Sequence, residues 1–141
     1  MKKQLEIVAA LIKNNGKVLL AQRLEDDAYG MLWEFPGGKV ENGETDEQAL
    51  AREMREELGI EVKILGREAC YEDESEVLKI NVRLYRCNII SGEPSALECR
   101  DWGWFSLEEA LNLDLAPADE KAYRLLAGKM SGNNKNNLIV D

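Results

Sequence analysis

Glu53, Glu56 and Glu57 stand close together in the segment 37–60, GGKVENGETDEQALAREMREELGI. On a helix turning about 100° per residue they share one face, within an arc of roughly 100°. Leu50, Ala51, Met54 and Leu58 fill a neighbouring arc, so the acids border the apolar stripe rather than oppose it. Like charges three and four residues apart repel by roughly a few tenths of a kcal/mol per pair. A solvated acidic face relieved by Arg52 and Arg55 is one reading of this cluster. A site for hard cations is the other. Mg²⁺ takes oxygen ligands and keeps waters and substrate phosphates in its shell, and bound ions reverse the local charge. Gly37 and Gly38 just ahead permit close backbone approach, and Glu44 precedes the helix.

The rest of the composition narrows the chemistry. The chain has 141 residues, 45% hydrophobic and 32% charged, which suits one globular domain. Its net charge of −9 makes it a poor clamp for long nucleic acid. There is no histidine, and Cys70, Cys87 and Cys99 are widely spaced with no CxxC, which argues against zinc and against a disulfide framework. No apolar run is long enough to span a membrane and no signal peptide is read, so a cytoplasmic protein is expected. Without histidine, proton transfer falls to acids and metal-bound water.

The elements that must position these groups follow from patterning. Residues 4–12 and 17–24 read as strands, and Asn14-Asn15-Gly16 between them as a hairpin turn. Residues 25–32 read as a loop and 33–35 as a short strand, with Pro36-Gly37-Gly38 breaking regular structure. Thr45 and Gln48 form a capping box, with Asp46 and Glu47 in the first turn, and Gly59 stops the helix. Residues 60–72 and 77–90 read as strands joined by an acidic turn, and 101–105 as a short aromatic strand. Ser106 and Glu109 cap a short helix, and Pro117 opens a last helix to about Met130. One domain over 1–130 and a loose polar tail over 131–141 are expected. This order predicts an α/β fold with a mixed sheet and helices packed on it.

The same segment resembles the Nudix box. That pattern is Gly, five residues, Glu, seven residues, then Arg-Glu-apolar-any-Glu-Glu-any-Gly-apolar. Gly38, Glu44, Arg52, Glu53, Met54, Glu56, Glu57, Gly59 and Ile60 meet it, with Met54 the one mild departure. The start MKKQLEIVAALI, the segment WEFPGGKVENGET and the late APADE resemble the MutT-like branch, near the enzymes for oxidised dGTP and for CTP and 5-methyl-dCTP. The resemblance covers residues 1–128 in outline. It implies the Nudix α/β/α sandwich, with a mixed sheet between helices. It also implies Mg²⁺, with Mn²⁺ a substitute, held by Glu53, Glu56 and Glu57 beside the Gly37 and Gly38 backbone, and by Glu98 from a later loop. Glu53 becomes the base for the attacking water, with Glu98 the alternative. Arg52 orients Glu53, and Glu44 supports the box loop.

On that resemblance the substrate is a small nucleotide, cut on the inner side of a triphosphate to a monophosphate and pyrophosphate. Arg23 matches a phosphate-contacting position. Asp119 stands where MutT enzymes carry an asparagine that reads the base. Ionised, Asp119 offers acceptors only; protonated, it mimics the amide. Phe35, with Trp33 and Leu78, is expected to wall the base. Oxidised dGTP (8-oxo-dGTP) and (deoxy)cytidine triphosphates both remain open. So do a diphosphate conjugate such as ADP-ribose or a dinucleoside polyphosphate, a non-catalytic nucleotide-binding domain, and a monomer or a homodimer.

Overall fold

A computed structural model describes residues 2–27 and 30–130. In chain order the elements are β1 (Lys3–Asn14), β2 (Lys17–Gln22), β3 (Trp33–Glu34), β4 (Gly37–Lys39), α1 (Asp46–Leu58), β5 (Glu61–Glu74), β6 (Leu78–Ser91), β7 (Asp101–Phe105), α2 (Leu107–Leu111) and α3 (Pro117–Met130). The polar tail expected to be loose lies outside the described residues.

The strands run β3-β2-β1-β6-β5, with β4 also on β1 and β7 also on β2. β1 and β6 pair in parallel, and the other strand pairs are antiparallel. The mixed sheet expected from the element order is therefore present. Strand β1 alternates between two cores, as a strand with both faces covered must. Val8, Ala10 and Ile12 pack with Leu50, Met54 and Leu58 of α1 on one face. Ala9 and Leu11 pack with Ala110 of α2 and Ala122, Tyr123 and Leu126 of α3 on the other. The result is an α/β/α sandwich.

Local chemistry explains the boundaries. Asn15 and Gly16 both have positive φ, at 52° and 76°, which is what a two-residue turn between twisted strands requires. Thr45 and Gln48 exchange the two capping-box hydrogen bonds, and Ser106 and Glu109 do the same at α2. Gly59 ends α1 in the left-handed region, its N–H turned back to the Met54 and Arg55 carbonyls. Two expectations are corrected. Strand β2 ends at Gln22 rather than residue 24. Gly37 and Gly38 do not break regular structure but form β4, pairing with Ala9 and Val8 of β1. Their missing side chains permit that pairing: a Cβ on Gly37 would stand 2.0 Å from the Val8 carbonyl oxygen.

Helix α1 is docked by charge as well as by its apolar stripe. Arg83 of β6 donates to both Asp46 carboxylate oxygens, at 2.5 and 2.8 Å, and to Glu6 of β1 at 2.7 Å. The Tyr85 hydroxyl donates to Asp46 at 2.6 Å. Asp46 lies in the first turn, where the helix dipole also favours an anion. The hydrogen bond from Arg83 is the main cause that holds Asp46 below its ordinary pKa; Asn81, then Arg83, do the same for Glu6. Arg83→Met leaves both half-buried acids short of a partner and is expected to cost about 2 kcal/mol, roughly a 5 °C fall in Tm. Depressed carboxyl pKa values mean that stability is present above the unfolded-state values and lost as pH falls through the folded ones. The gap between wild type and Arg83→Met in urea melts should be full above about pH 5, shrink as pH falls past roughly 4, and close only below the depressed folded-state values.

Candidate active site

A cavity of about 480 Å³ opens between the C-terminal half of α1, strand β4, the start of α3 and the β5–β6 sheet. Its lining combines two chemistries. Glu53, Glu57 and Glu98, beside Gly37, Gly38 and Arg23, form an acidic end in which the charges act on one another. Ile7, Ala9, Phe35, Ile80 and Val82, from the core on the α3 side of the sheet, form an apolar end with Leu78, Tyr71 and Asp119. Glu34 lines the cavity too, and its charge acts on both Glu57 and Asp119.

The acidic end is built outward from Arg52. Its Nε and Nη2 donate to the two oxygens of Glu44 at 2.8 and 2.9 Å, a bidentate pair. Nη1 donates to Glu53 at 2.7 Å and to Glu56 at 3.1 Å, and Nη2 also reaches the Lys39 carbonyl at 3.0 Å. One guanidinium thus ties the box loop to two acids of α1. Glu44 completes the brace by accepting the Glu41 N–H, and the hydrogen bond from Arg52 leads in holding its carboxyl down at about 2. Arg52, Glu44 and Glu56 stand behind or beside the cavity lining rather than in it. Glu56 is the more open of the helix acids, its side chain 44% exposed against 19% for Glu53.

Glu98 comes to this end because its loop caps α1. The N–H groups of Ser95, Leu97 and Glu98 donate to the Leu58 and Glu57 carbonyls, which the helix leaves unpaired. The backbone of Glu98 is therefore fixed by the same residue whose side chain enters the cavity.

These carboxylates are electrostatically uncomfortable. Burial is the leading cause that pushes Glu57 well above its usual pKa, and the charges of Glu34 and Glu53 push the same way against the Gly37 N–H. Burial also raises Glu53, opposed by Arg52 and reinforced by Glu56 and Glu98. Among the described residues no three acidic side chains converge as a ready-made ion cage. The all-oxygen donor set around an open, anion-crowded space nonetheless fits a hard divalent cation that keeps waters and substrate oxygens in its shell. Gly38 belongs to that fit, since a Cβ there would stand 2.3 Å from Glu53 Oε2.

The other candidates are placed as follows. Arg23 lines the cavity, but its guanidinium already bonds Glu34 at 2.8 Å and Asp27 at 3.1 Å. Phe35 and Leu78 lie on the apolar wall. Trp33 does not: it packs edge-on against Phe105 at 5.1 Å, so its expected place at the base is corrected to a core role. Asp119 is buried at the start of α3, and its Oδ1 accepts the Phe35 N–H at 3.0 Å. Burial raises its pKa well above the ordinary value, with Glu34 adding to the rise. Sequence reasoning missed Glu34 and Tyr71. The signal for Glu34 was a carboxylate between two aromatics in a short strand. Tyr71 gave none, because a tyrosine in a strand reads as core.

The two glycines of β4 should behave differently. Gly37→Ala sets a methyl against backbone, and unfolding in urea should show a loss of about 2 kcal/mol or more. Gly38→Ala meets only the end of a side chain. It should cost less than about 1 kcal/mol while displacing Glu53.

Comparison with known proteins agrees with this architecture. A family model described as the NUDIX domain matches residues 2–126. The CTP pyrophosphohydrolase of Escherichia coli K12 is 44% identical over 117 residues, covering 83% of this chain and 87% of that protein. The 8-oxo-dGTP diphosphatase of Haemophilus influenzae is 38% identical over 128 residues, covering 89% and 93%. Among solved structures, that of the E. coli ORF135 protein superposes with a TM-score of 0.78 at 39% identity, covering 95% of this chain and 96% of that one. The MutT protein of Methanosarcina mazei Go1 superposes with a TM-score of 0.82 at 26% identity, covering 92% and 96%. With its box acids gathered on α1 and a family match running almost end to end, the chain belongs to the Nudix hydrolases, in their MutT-like branch.

Proposed function

We propose that this enzyme is a nucleoside-triphosphate pyrophosphohydrolase that releases a nucleoside monophosphate and pyrophosphate, acting on (deoxy)cytidine triphosphates. The observation that carries this is the two-ended cavity. Its acidic end suits a cation-bound polyphosphate, and its apolar end suits a base read by one buried acid, Asp119. A volume of about 480 Å³ is of the size small-molecule sites take. The second reading is 8-oxo-dGTP. It is favoured by the relatives named for that activity, and by Asp119, which in its neutral form offers a donor and an acceptor to either base.

Nudix hydrolases generally use a divalent metal. Here we assign Mg²⁺, with Mn²⁺ able to substitute, to Glu53, Glu56 and Glu57, with Glu98 and the Gly37 and Gly38 backbone beside them. Such a cation, when bound, acidifies water and neutralises charge on phosphate oxygens. The residues of the chain do the rest. Glu53 accepts the proton of the attacking water, with Glu98 the alternative base lining the same cavity. Arg52 fixes Glu53 by the 2.7 Å hydrogen bond, and Glu44 fixes Arg52. Arg23, held by Glu34 and Asp27 in the cavity wall, brings a positive charge to the phosphates. Phe35 and Leu78 wall the base and exclude water. Among the described residues no helix is long and apolar enough to cross a membrane. Our reading places the protein in the cytoplasm as a monomer or homodimer acting on free nucleotides.

The test is pyrophosphate release with Mg²⁺ from CTP, dCTP, 5-methyl-dCTP, dGTP and 8-oxo-dGTP, with ADP-ribose and a dinucleoside tetraphosphate scored by product chromatography. Cytidine triphosphates should lead, and Glu53→Gln should lose about 100-fold or more in kcat while still binding nucleotide. Preference for 8-oxo-dGTP selects the second reading. Cleavage of the diphosphate conjugates alone would sink both, and undiminished turnover by Glu53→Gln would remove Glu53 as the base.

A further inference from the structure

Tyr71 lies on β5, opposite Val82 of β6, and its side chain belongs to the core on the α3 side of the sheet. The residue is 8% exposed and lines the cavity. Its hydroxyl is buried, yet it makes no hydrogen bond among the described residues. The negative charges of Asp119 and Glu34, which line the same cavity, both act on the phenol. Buried hydroxyls are nearly always paired, and leaving one unpaired destabilises a fold. A phenylalanine would fill the same space without that penalty.

Tyr123 provides an internal contrast. Its hydroxyl is also buried and makes no hydrogen bond among the described residues. It is 0% exposed, stacks on Phe35 at 5.1 Å with the rings 1° from parallel, and does not line the cavity. The two tyrosines therefore share an orphaned hydroxyl, but only Tyr71 presents its side chain to the space where a ligand enters.

We propose that Tyr71 is a specificity-determining residue, its hydroxyl hydrogen-bonding an exocyclic amine or oxygen of the nucleobase held in the apolar half of the cavity. The inference rests on the nucleotide reading given above. Asp119 already spends one oxygen on the Phe35 N–H, so a base edge with more than one polar substituent needs a second protein group. The phenol can donate to an oxo group or accept from an amine. A base with hydrogen at that position leaves the hydroxyl unpaired, which is how such sites reject near-isosteres.

The experiment compares wild type, Tyr71→Phe and Tyr123→Phe. Steady-state kcat and KM are measured for the best triphosphate of the panel and for its analogue with hydrogen in place of the exocyclic amine or oxygen, and thermal melts are recorded for the free proteins. Tyr71→Phe should raise KM for the best triphosphate by about tenfold or more, with kcat within about twofold and the analogue little changed. Its Tm should equal or exceed that of wild type, because an unpaired buried hydroxyl has gone. Tyr123→Phe should keep full discrimination. Unchanged discrimination in Tyr71→Phe overturns the proposal while the nucleotide reading stands. So does a fall in Tm with KM and kcat intact, which would mean that the hydroxyl serves the fold. Equal loss of discrimination in both variants also overturns it. A wild type that turns over no triphosphate, or turns all of them over alike, takes the proposal down with the reading beneath it.

Discussion

The structure depends on holding several carboxylates together in a half-buried space where they repel one another. Glu57 is buried, and Glu34 and Glu53 push its pKa in the same direction as burial does. A helix with no such task would place lysines between its acids. The fold opposes the repulsion mechanically. Arg52 grips Glu53, Glu56 and Glu44 at once, Arg83 pins the first turn of α1 through Asp46, and the loop bearing Glu98 is tied to the last carbonyls of the same helix. Leu50, Met54 and Leu58 are fully buried beneath. At roughly 1.5–3 kcal/mol for each such side chain, this apolar face far outweighs the repulsion above it.

The acids sit at the edge of the apolar stripe for the same reason. A carboxylate on the open side of α1 would be solvated and would bind cations weakly. One buried in the stripe would be neutral. The border position leaves Glu53 and Glu57 facing the cavity while Met54 and Leu58 face the sheet. Strand β4 then brings the Gly37 and Gly38 backbone against β1 and α1, an approach that a Cβ on Gly37 would block and that one on Gly38 would allow only by displacing Glu53. The apolar half of the cavity shares β1 and Phe35 with that framework, but the rest of its wall comes from a different part of the chain, β5, β6 and the start of α3. On the proposed reading, base-contacting residues on those elements can vary without disturbing the carboxylates.

The box helix, its caps, the hairpin turn and the order of elements were legible because each is specified by local chemistry: helical spacing, capping pairs, and a turn that needs positive φ. The family resemblance singled out Glu98, which spacing alone leaves as a surface charge, and Asp119, which it leaves as a cap of the last helix. Partnership was what the one-dimensional pattern could not carry. Arg23 matches a phosphate-contacting position, yet its guanidinium also pairs with Glu34 of the neighbouring strand. Trp33 reads as a base wall, yet β7 brings Phe105 against it. Gly37 and Gly38 read as a break, and only β1 alongside them makes a strand. Tyr71 has the signature of a core residue; its distinction is a missing partner, a property of three dimensions.

Crowded, buried carboxylates kept for a divalent cation should burden the fold when the cation is withheld and cease to when it is supplied. Thermal melts at pH 8 of wild type and Glu57→Gln, with chelator and with millimolar Mg²⁺, read this out. A carboxyl whose pKa is raised on folding loses stability for the fold as pH climbs, so at pH 8 its removal should help. Glu57→Gln should melt higher than wild type in chelator. Mg²⁺ should raise the wild-type Tm by several degrees and the variant's by much less. A variant that melts lower in chelator and responds to Mg²⁺ as fully as wild type would show that Glu57 is not held for the cation.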